Sequence, residues 1–93
     1  MKVHWTENAE AHLDAIYAWI AQDSTAYALR TIDRLTQRSI QISDFPLSGR
    51  KVPEYDLDQL REVLEPPYRI IYLIKVDQID IIAVHHAASS LEK

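Results

Sequence analysis

The chain has 93 residues, of which 47% are apolar and 26% are charged, and its formal net charge is −4. This length fits one domain, residues 1–93, and the apolar content excludes an intrinsically disordered chain. The acidic balance argues against a protein whose main work is to cover nucleic-acid phosphates, and the lack of cysteine excludes disulfides, thiolate nucleophiles and sulfur metal ligands.

The first third of the chain predicts a strand and a helix. Residues 2–6 alternate as strand residues do, and Thr6 can cap the helix that follows. Four apolar residues then recur at helical spacing up to a helix end near Gln22. These residues are Ala9, Leu13, Ile16 and Ile20.

A second helix follows a short turn and cap at residues 23–25. A second stripe at helical spacing comprises Ala28, Ile32, Leu35, Ser39 and Ile42. The helix ends around Asp44, because Pro46 disfavours helical geometry at the preceding residue. The short connection makes the two helices an antiparallel hairpin, and residues 46–58 are expected to form a surface loop.

The last third predicts three strands, at 60–64, 68–76 and 79–85. The last two form a hairpin around Asp77 and Gln78. A two-residue loop would place Arg69 opposite His86, and a three-residue loop would place it opposite His85. The predicted fold class is α+β, in the order β-α-α-β-β-β, with the helix hairpin packed on a small antiparallel sheet.

Three arginines, Arg30, Arg34 and Arg38, are spaced four residues apart and line one side of the second helix. One interpretation is an ordinary solvated helix face. The other is a docking surface for an acidic partner segment or a nucleic acid, because guanidinium groups suit both carboxylates and phosphates.

Polar residues of the last strands and the preceding loop could support acid–base chemistry on a phosphodiester. They are Glu54, Arg61, Arg69 and His85. Each also has a structural interpretation: Arg69 can pair with Glu62 across strands, and a strand-end histidine can satisfy a local hydrogen bond. Adjacent histidines at 85 and 86 point to opposite faces of a strand, so they cannot jointly hold a metal, and zinc-site spacing is absent.

The sequence has no nucleotide-binding fingerprint, and its single glycine rules out a glycine-rich phosphate loop. We therefore predict no cofactor and no metal. No apolar run reaches signal-peptide length or the ~20 residues needed to cross a bilayer. The expected location is the cytoplasm, without membrane attachment.

Several segments together closely resemble the RelE/ParE superfamily of toxins from bacterial type II toxin-antitoxin systems. They are Trp5-Thr6 with Ala9-Glu10 and Leu13, Pro46-Leu47-Ser48-Gly49-Arg50 with Val52-Pro53-Glu54, Leu60-Arg61-Glu62-Val63, and Tyr68-Arg69-Ile70-Ile71-Tyr72. The resemblance covers nearly the whole chain. It implies the same fold that the element order predicts.

The superfamily has two activities, ribosome-dependent cleavage of messenger RNA and inhibition of DNA gyrase. Ala87 and Ala88 stand where the resemblance implies a catalytic His and Tyr, so the cleavage set is depleted. The end of the chain, with His86, Ser89, Ser90 and Leu91, is more similar to ParE members, although it lacks their arginine. The resemblance therefore favours a gyrase inhibitor that is not an enzyme, with an RNA-cleaving toxin and a non-toxic antitoxin-binding module as alternatives.

The resemblance also implies a cognate antitoxin partner and a toxin-antitoxin hetero-oligomer. The expected antitoxin contacts are Trp19 and Tyr27 as amphipathic anchors and Arg30, Arg34 and Arg38 as partners of acidic side chains. The gyrase contacts are expected at His86, Ser89, Ser90 and Leu91.

Overall fold

A computed structural model describes residues 1–88 of the chain. The elements are β1 (Lys2–Trp5), α1 (Glu7–Ala21), α2 (Thr25–Asp44), a 3-10 turn (Pro46–Ser48), β2 (Arg50–Lys51), β3 (Leu60–Glu65), β4 (Tyr68–Ile74) and β5 (Gln78–His86). The predicted α+β class and the order of its helices and longer strands are confirmed. The short strand β2 lies within the segment that was predicted to be a surface loop.

Both helices begin at the hydroxyl caps that the sequence predicts. Thr6 Oγ1 accepts a hydrogen bond from the Ala9 N–H at 3.2 Å, and Ser24 Oγ accepts one from the Tyr27 N–H at 3.1 Å. Each bond satisfies a donor that a helix start otherwise leaves unpaired. The buried face of α2 matches the predicted stripe, with Thr31 more deeply buried than Ile32.

The sheet has the strand order β1-β5-β4-β3-β2. β1 runs parallel to β5, and the other neighbours are antiparallel. The sheet is therefore mixed, whereas the sequence analysis predicted an antiparallel one. The reason is that β1 and β5 lie at opposite ends of the sequence, and local periodicity carries no information about such a pairing.

The hairpin of β4 and β5 places Arg69 opposite His85 and Tyr68 opposite His86. This is the pairing predicted for a three-residue loop, but an irregularity in β5 produces it and the length of the loop does not. The register shifts between Ile71 and Tyr72, where β5 carries one extra residue, so near the turn Leu73 lies opposite Asp80.

The main core lies between the helix hairpin and one face of the sheet. Leu35 and Ile42 of α2 pack there against Ile70, Tyr72 and other strand residues. A smaller cluster of Val52, Ile71 and Ala83 contains no helix residue. We call the side of the sheet that carries this cluster the helix-free face. Within residues 1–88, no helix is long and apolar enough to cross a membrane.

Candidate functional site

A network of four charged side chains lies on the helix-free face. Arg69 donates from Nη1 and Nη2 to the two carboxylate oxygens of Glu54, at 3.1 and 3.0 Å, and from Nε to Glu62 Oε1 at 2.9 Å. Arg50 donates from Nε to Glu62 Oε2 at 2.7 Å. The network therefore contains two positive and two negative groups, and the guanidinium of Arg69 is held between two carboxylates.

The network is formed by strand register and by one loop. Glu62 of β3 lies opposite Ile71 and Arg69 of β4 lies opposite Leu64, so the two charged residues are diagonal neighbours. The Glu62 side chain has no exposure and that of Arg69 is 6% exposed. The predicted Arg69–Glu62 pair is confirmed. The hydrogen bonds that Arg69 donates to Glu54 and Glu62 raise its pKa above the ordinary value, although burial opposes this.

Arg61 does not join this network, although the sequence analysis grouped it with Arg69. Its Nε donates to the backbone oxygen of Asp58 at 2.8 Å, and its Nη1 donates to that of Gly49 at 3.1 Å. Successive strand residues face opposite sides, which separates residue 61 from residue 62. Arg61 therefore ties the loop around β2 to β3.

Tyr72 fixes the start of the same loop from inside the core. Its hydroxyl donates to the Pro46 backbone oxygen at 2.6 Å and accepts the Gly49 N–H at 3.1 Å. Burial raises the pKa of Tyr72. From the sequence, Tyr72 stands out only as part of a motif, because a strand pattern does not indicate what a buried hydroxyl will contact.

His85 lies beside Arg69 and beside a histidine of α1 that the sequence analysis did not single out as a site residue. The ring centroids of His12 and His85 are 4.9 Å apart. Burial, His12 and Arg69 lower the pKa of His85. His85 also lines a largely apolar hollow of about 450 Å³ on the helix-free face. Other lining residues are Tyr55, Leu60, Ile71, Ile82 and Ala83.

His86 points away from His85, as expected for neighbouring strand residues. It lines a groove of about 430 Å³ near the helix hairpin, and its Nδ1 accepts the Ala88 N–H at 3.2 Å. Ser89, Ser90 and Leu91, the other expected gyrase contacts, lie outside the described residues.

The two aromatic residues expected to contact an antitoxin meet in that groove. Trp19 of α1 is 73% exposed and Tyr27 of α2 is 47% exposed. Both line the groove together with Ile16, Ile20, Pro67 and Tyr68. We call this surface the aromatic groove. Burial raises the pKa of the Tyr68 hydroxyl.

The three arginines of α2 have different surroundings. Arg30 lies 5.8 Å from the centre of the Tyr27 ring, which fits a cation–π contact at the rim of the aromatic groove. Arg34 and Arg38 line the next hollow along α2, together with Glu65. Arg30 and Arg34 are exposed, but Arg38 is half-buried, so the stripe is not uniformly solvated. Arg38 donates through Nη1 to Gln41.

Among residues 1–88, no three histidine, aspartate or glutamate side chains are grouped so that they could hold a metal ion. The site consists of an ion network and a histidine pair on the helix-free face, and an aromatic groove with arginines at the helix hairpin.

Comparison with known proteins identifies the class to which this fold and site belong. The model of the ParE toxin family, toxins of the type II toxin-antitoxin system parDE, matches residues 3–91. Toxin RelE2 of Caulobacter vibrioides is 35% identical over 88 residues, which are 94% of this chain and 96% of the relative. The chain therefore belongs to the ParE toxin family within the RelE/ParE superfamily.

Two solved structures share the fold. The chromosomal ParDE toxin-antitoxin system of P. aeruginosa matches with a TM-score of 0.76 and 24% identity, covering 92% of this chain and 95% of that chain. The toxin-antitoxin complex RelBE2 of Mycobacterium tuberculosis matches with a TM-score of 0.68 and 19% identity, covering 91% and 95%. The fold expected from the family resemblance is confirmed.

Proposed function

We propose that the chain is a ParE-type toxin that inhibits DNA gyrase by binding and does not cleave RNA. The observation that carries this proposal is that the Arg69 guanidinium already has carboxylate partners. The guanidinium that would hold a phosphodiester already binds Glu54 through two nitrogens and the buried Glu62 through a third. A phosphate would have to displace a carboxylate in a two-point, charge-assisted contact.

Two further features support the same proposal. Arg61 binds backbone oxygens and does not share the face of Arg69, so it is separated from the other three candidate cleavage residues. The net charge of −4 weakens the electrostatic attraction that dominates binding to ribosomal RNA. The gyrase contact is proposed at His86 and the residues that follow it, including Ser89, Ser90 and Leu91.

An RNA-cleaving, ribosome-dependent toxin is the second candidate. His85 lies directly opposite Arg69 in the strand register, and burial, His12 and Arg69 lower its pKa. A neutral imidazole beside a guanidinium is a suitable general base for a 2′-hydroxyl. This candidate requires Glu54 to release Arg69 when RNA binds.

The target can be tested by inducing the chain in bacterial cells that lack its antitoxin. DNA supercoiling, double-strand breaks and messenger-RNA integrity are measured in the same culture. DNA damage with intact messages is the expected result. Fragmented messages with intact DNA would establish RNA cleavage instead. Normal growth with both intact would leave antitoxin binding as the remaining candidate function.

Matched histidine variants sharpen this test. His86→Ala should reduce the DNA damage, whereas His85→Asn should leave it unchanged because His85 faces away from the proposed gyrase contact. If the toxin cleaves RNA, the effects reverse, since His85 would be the base. The stability of both variants is checked by thermal unfolding.

We also propose that a cognate antitoxin neutralises the toxin in the cytoplasm by docking on the aromatic groove and the arginines of α2. An amphipathic segment would place an apolar side chain between Trp19 and Tyr27 and acidic side chains beside Arg30, Arg34 and Arg38. The two structural neighbours, a ParDE system and a RelBE2 complex, support a partner of this kind. The toxin and antitoxin would form a hetero-oligomer.

This docking surface can be tested by measuring antitoxin affinity. Trp19→Ala should weaken binding by about 30-fold, the size typical of a central aromatic contact. Reversing the charges of Arg30, Arg34 and Arg38 together should also weaken binding, mainly by slowing association. Lys2→Glu, an exposed charge reversal on β1, is the control and should have little effect. Unchanged affinity in the triple variant would remove the arginines from the proposal.

A further inference from the structure

The strand β5 extends beyond the strand that pairs with its outer edge. β1 pairs with β5 from Gln78 to Ile81, whereas β5 continues to His86. The outward-facing backbone groups of β5 beyond Ile81 therefore need partners other than β1. An open strand edge of this kind is a template for pairing with another chain.

The start of α1 supplies these partners. The backbone N–H and the hydroxyl of Thr6 donate to the Ile81 oxygen at 3.1 and 2.8 Å. Asn8 Nδ2 donates to the Ile82 oxygen at 2.8 Å, and His12 Nδ1 accepts the Val84 N–H at 3.0 Å. The first two turns of α1 thus take the place of a longer β1.

The contact made by His12 depends on its protonation. A neutral imidazole has one donor and one acceptor nitrogen, whereas a protonated imidazole has two donors and no acceptor. The contact in which Nδ1 accepts the Val84 N–H requires the neutral imidazole with its proton on Nε2. The bonds from Thr6 and Asn8 involve no group that titrates near neutral pH.

Positive or protonatable groups surround this contact. His85 of β5 lies against His12, and Arg69 of β4 lies opposite His85. Arg69 is in turn paired with Glu54 of the β2–β3 loop and Glu62 of β3, and Tyr55 of the same loop lines the hollow beside His85. A proton on His12 would therefore place a positive charge beside a second histidine at a partly buried contact.

We propose that His12 is a pH-sensitive switch that holds the end of β5 against α1 when it is neutral and releases it when it gains a proton. Protonation turns His12 Nδ1 from an acceptor into a donor. It then faces the Val84 N–H, which is also a donor, and the hydrogen bond is lost. The released part of β5 carries His85 and His86. Acidification therefore opens a strand edge beside both candidate target-binding faces, whichever target the toxin has.

The test is a pH titration of the full chain labelled with ¹⁵N. The Val84 amide should lose about tenfold of its hydrogen-exchange protection between about pH 7.5 and about pH 5.5, since an ordinary imidazole titrates near about 6.5. The amide of Ile70, in the interior ladder, should keep its protection. The His12 imidazole shifts should show an unprotonated Nδ1 at the higher pH.

Two variants separate the switch from general acid sensitivity. His12→Asn keeps an acceptor near the position of Nδ1 but cannot titrate, so its Val84 protection should not change with pH. His4→Asn removes an exposed histidine of β1 and should behave as the unaltered chain does. Constant Val84 protection in the unaltered chain, or a proton on His12 Nδ1 at the higher pH, would overturn the proposal. Both readouts use the unaltered chain, so they remain decisive if a variant fails to fold.

Discussion

Glu62 is the residue on which the charge network depends. Its carboxylate has no exposure and accepts hydrogen bonds from Arg50 and Arg69, which approach different oxygens. Removing a carboxylate from water is costly, and the cost is offset only when charged donors surround it. Glu54 is 22% exposed and carries less of this cost, so the two carboxylates contribute differently.

We predict unequal effects of neutralising these carboxylates. Glu62→Gln should lower the free energy of unfolding by about 3 kcal/mol, because the buried Arg69 would keep only one of its two carboxylate partners. Glu54→Gln should cost about 1 kcal/mol, because its contact with Arg69 is partly solvated. Urea unfolding followed by tryptophan fluorescence measures both values. Equal losses of unfolding free energy in the two variants would show that burial does not determine how much each carboxylate contributes to stability.

Gly49 lies where an added side chain would have almost no room. A Cβ there would lie 2.5 Å from the Tyr72 hydroxyl oxygen and 2.6 Å from the backbone oxygen of Glu62. We expect Gly49→Ala to cost about 2 kcal/mol, as overpacking in a core does. Adding Tyr72→Phe should not restore stability, because the backbone oxygen of Glu62 remains in place. Full recovery in the double variant would contradict this reason.

At the residue scale, sequence patterns predicted contacts within the sheet better than contacts from loops. The proximity of Arg69 to Glu62 and to a histidine follows from strand alternation and hairpin register. The double contact from Glu54 does not, because no periodicity sets where a loop residue returns. His12 was not singled out from the sequence, since its partner is a backbone group 72 residues away.

At the level of elements, caps and apolar stripes predicted both helices, because those signals are local. The parallel pairing of β1 with β5 is not local, so the sequence analysis assigned the strand but gave the sheet an antiparallel arrangement. β2 has only two residues, both charged and exposed, and offers no pattern to detect. The candidate site inherits these limits, since β3, β4 and β5 were predicted, whereas the contact that the predicted 46–58 loop makes through Glu54 was not.

The two helix caps should differ in importance. Ser24→Ala removes one bond to the start of α2 and should cost about 1 kcal/mol. Thr6→Ala should cost about 2 kcal/mol, because the Thr6 hydroxyl both caps α1 and donates to the Ile81 oxygen. Thermal unfolding of the two variants tests the order. A larger loss in Ser24→Ala would show that the contact with β5 adds nothing.

For the whole molecule, stability should decline on mild acidification. The pKa of His85 is lowered in the folded chain, mainly by burial, so the unfolded chain takes up a proton first. This contribution is complete above the ordinary histidine pKa of about 6.5 and is lost as the pH falls below it. The lowered pKa values of Asp58 and Asp80 act in the same direction at more acidic pH.

Urea unfolding at a series of pH values measures this dependence. In His85→Asn, the slope between about pH 7 and about pH 5.5 should become shallower, because the titrating group is gone. His4→Asn is the control and should retain the slope. An unchanged slope in His85→Asn would assign the acid sensitivity to another group.

The position of β5 between β1 and β4 has a consequence for synthesis on the ribosome. Residues 1–77 contain both helices and every other strand, but these strands fall into two sets that meet only through β5. A growing chain can form the helix hairpin and the β3–β4 pair early, because those contacts are short-range. The sheet cannot close until β5 has been translated. A partner already present in the cell therefore meets a complete toxin surface only after that moment.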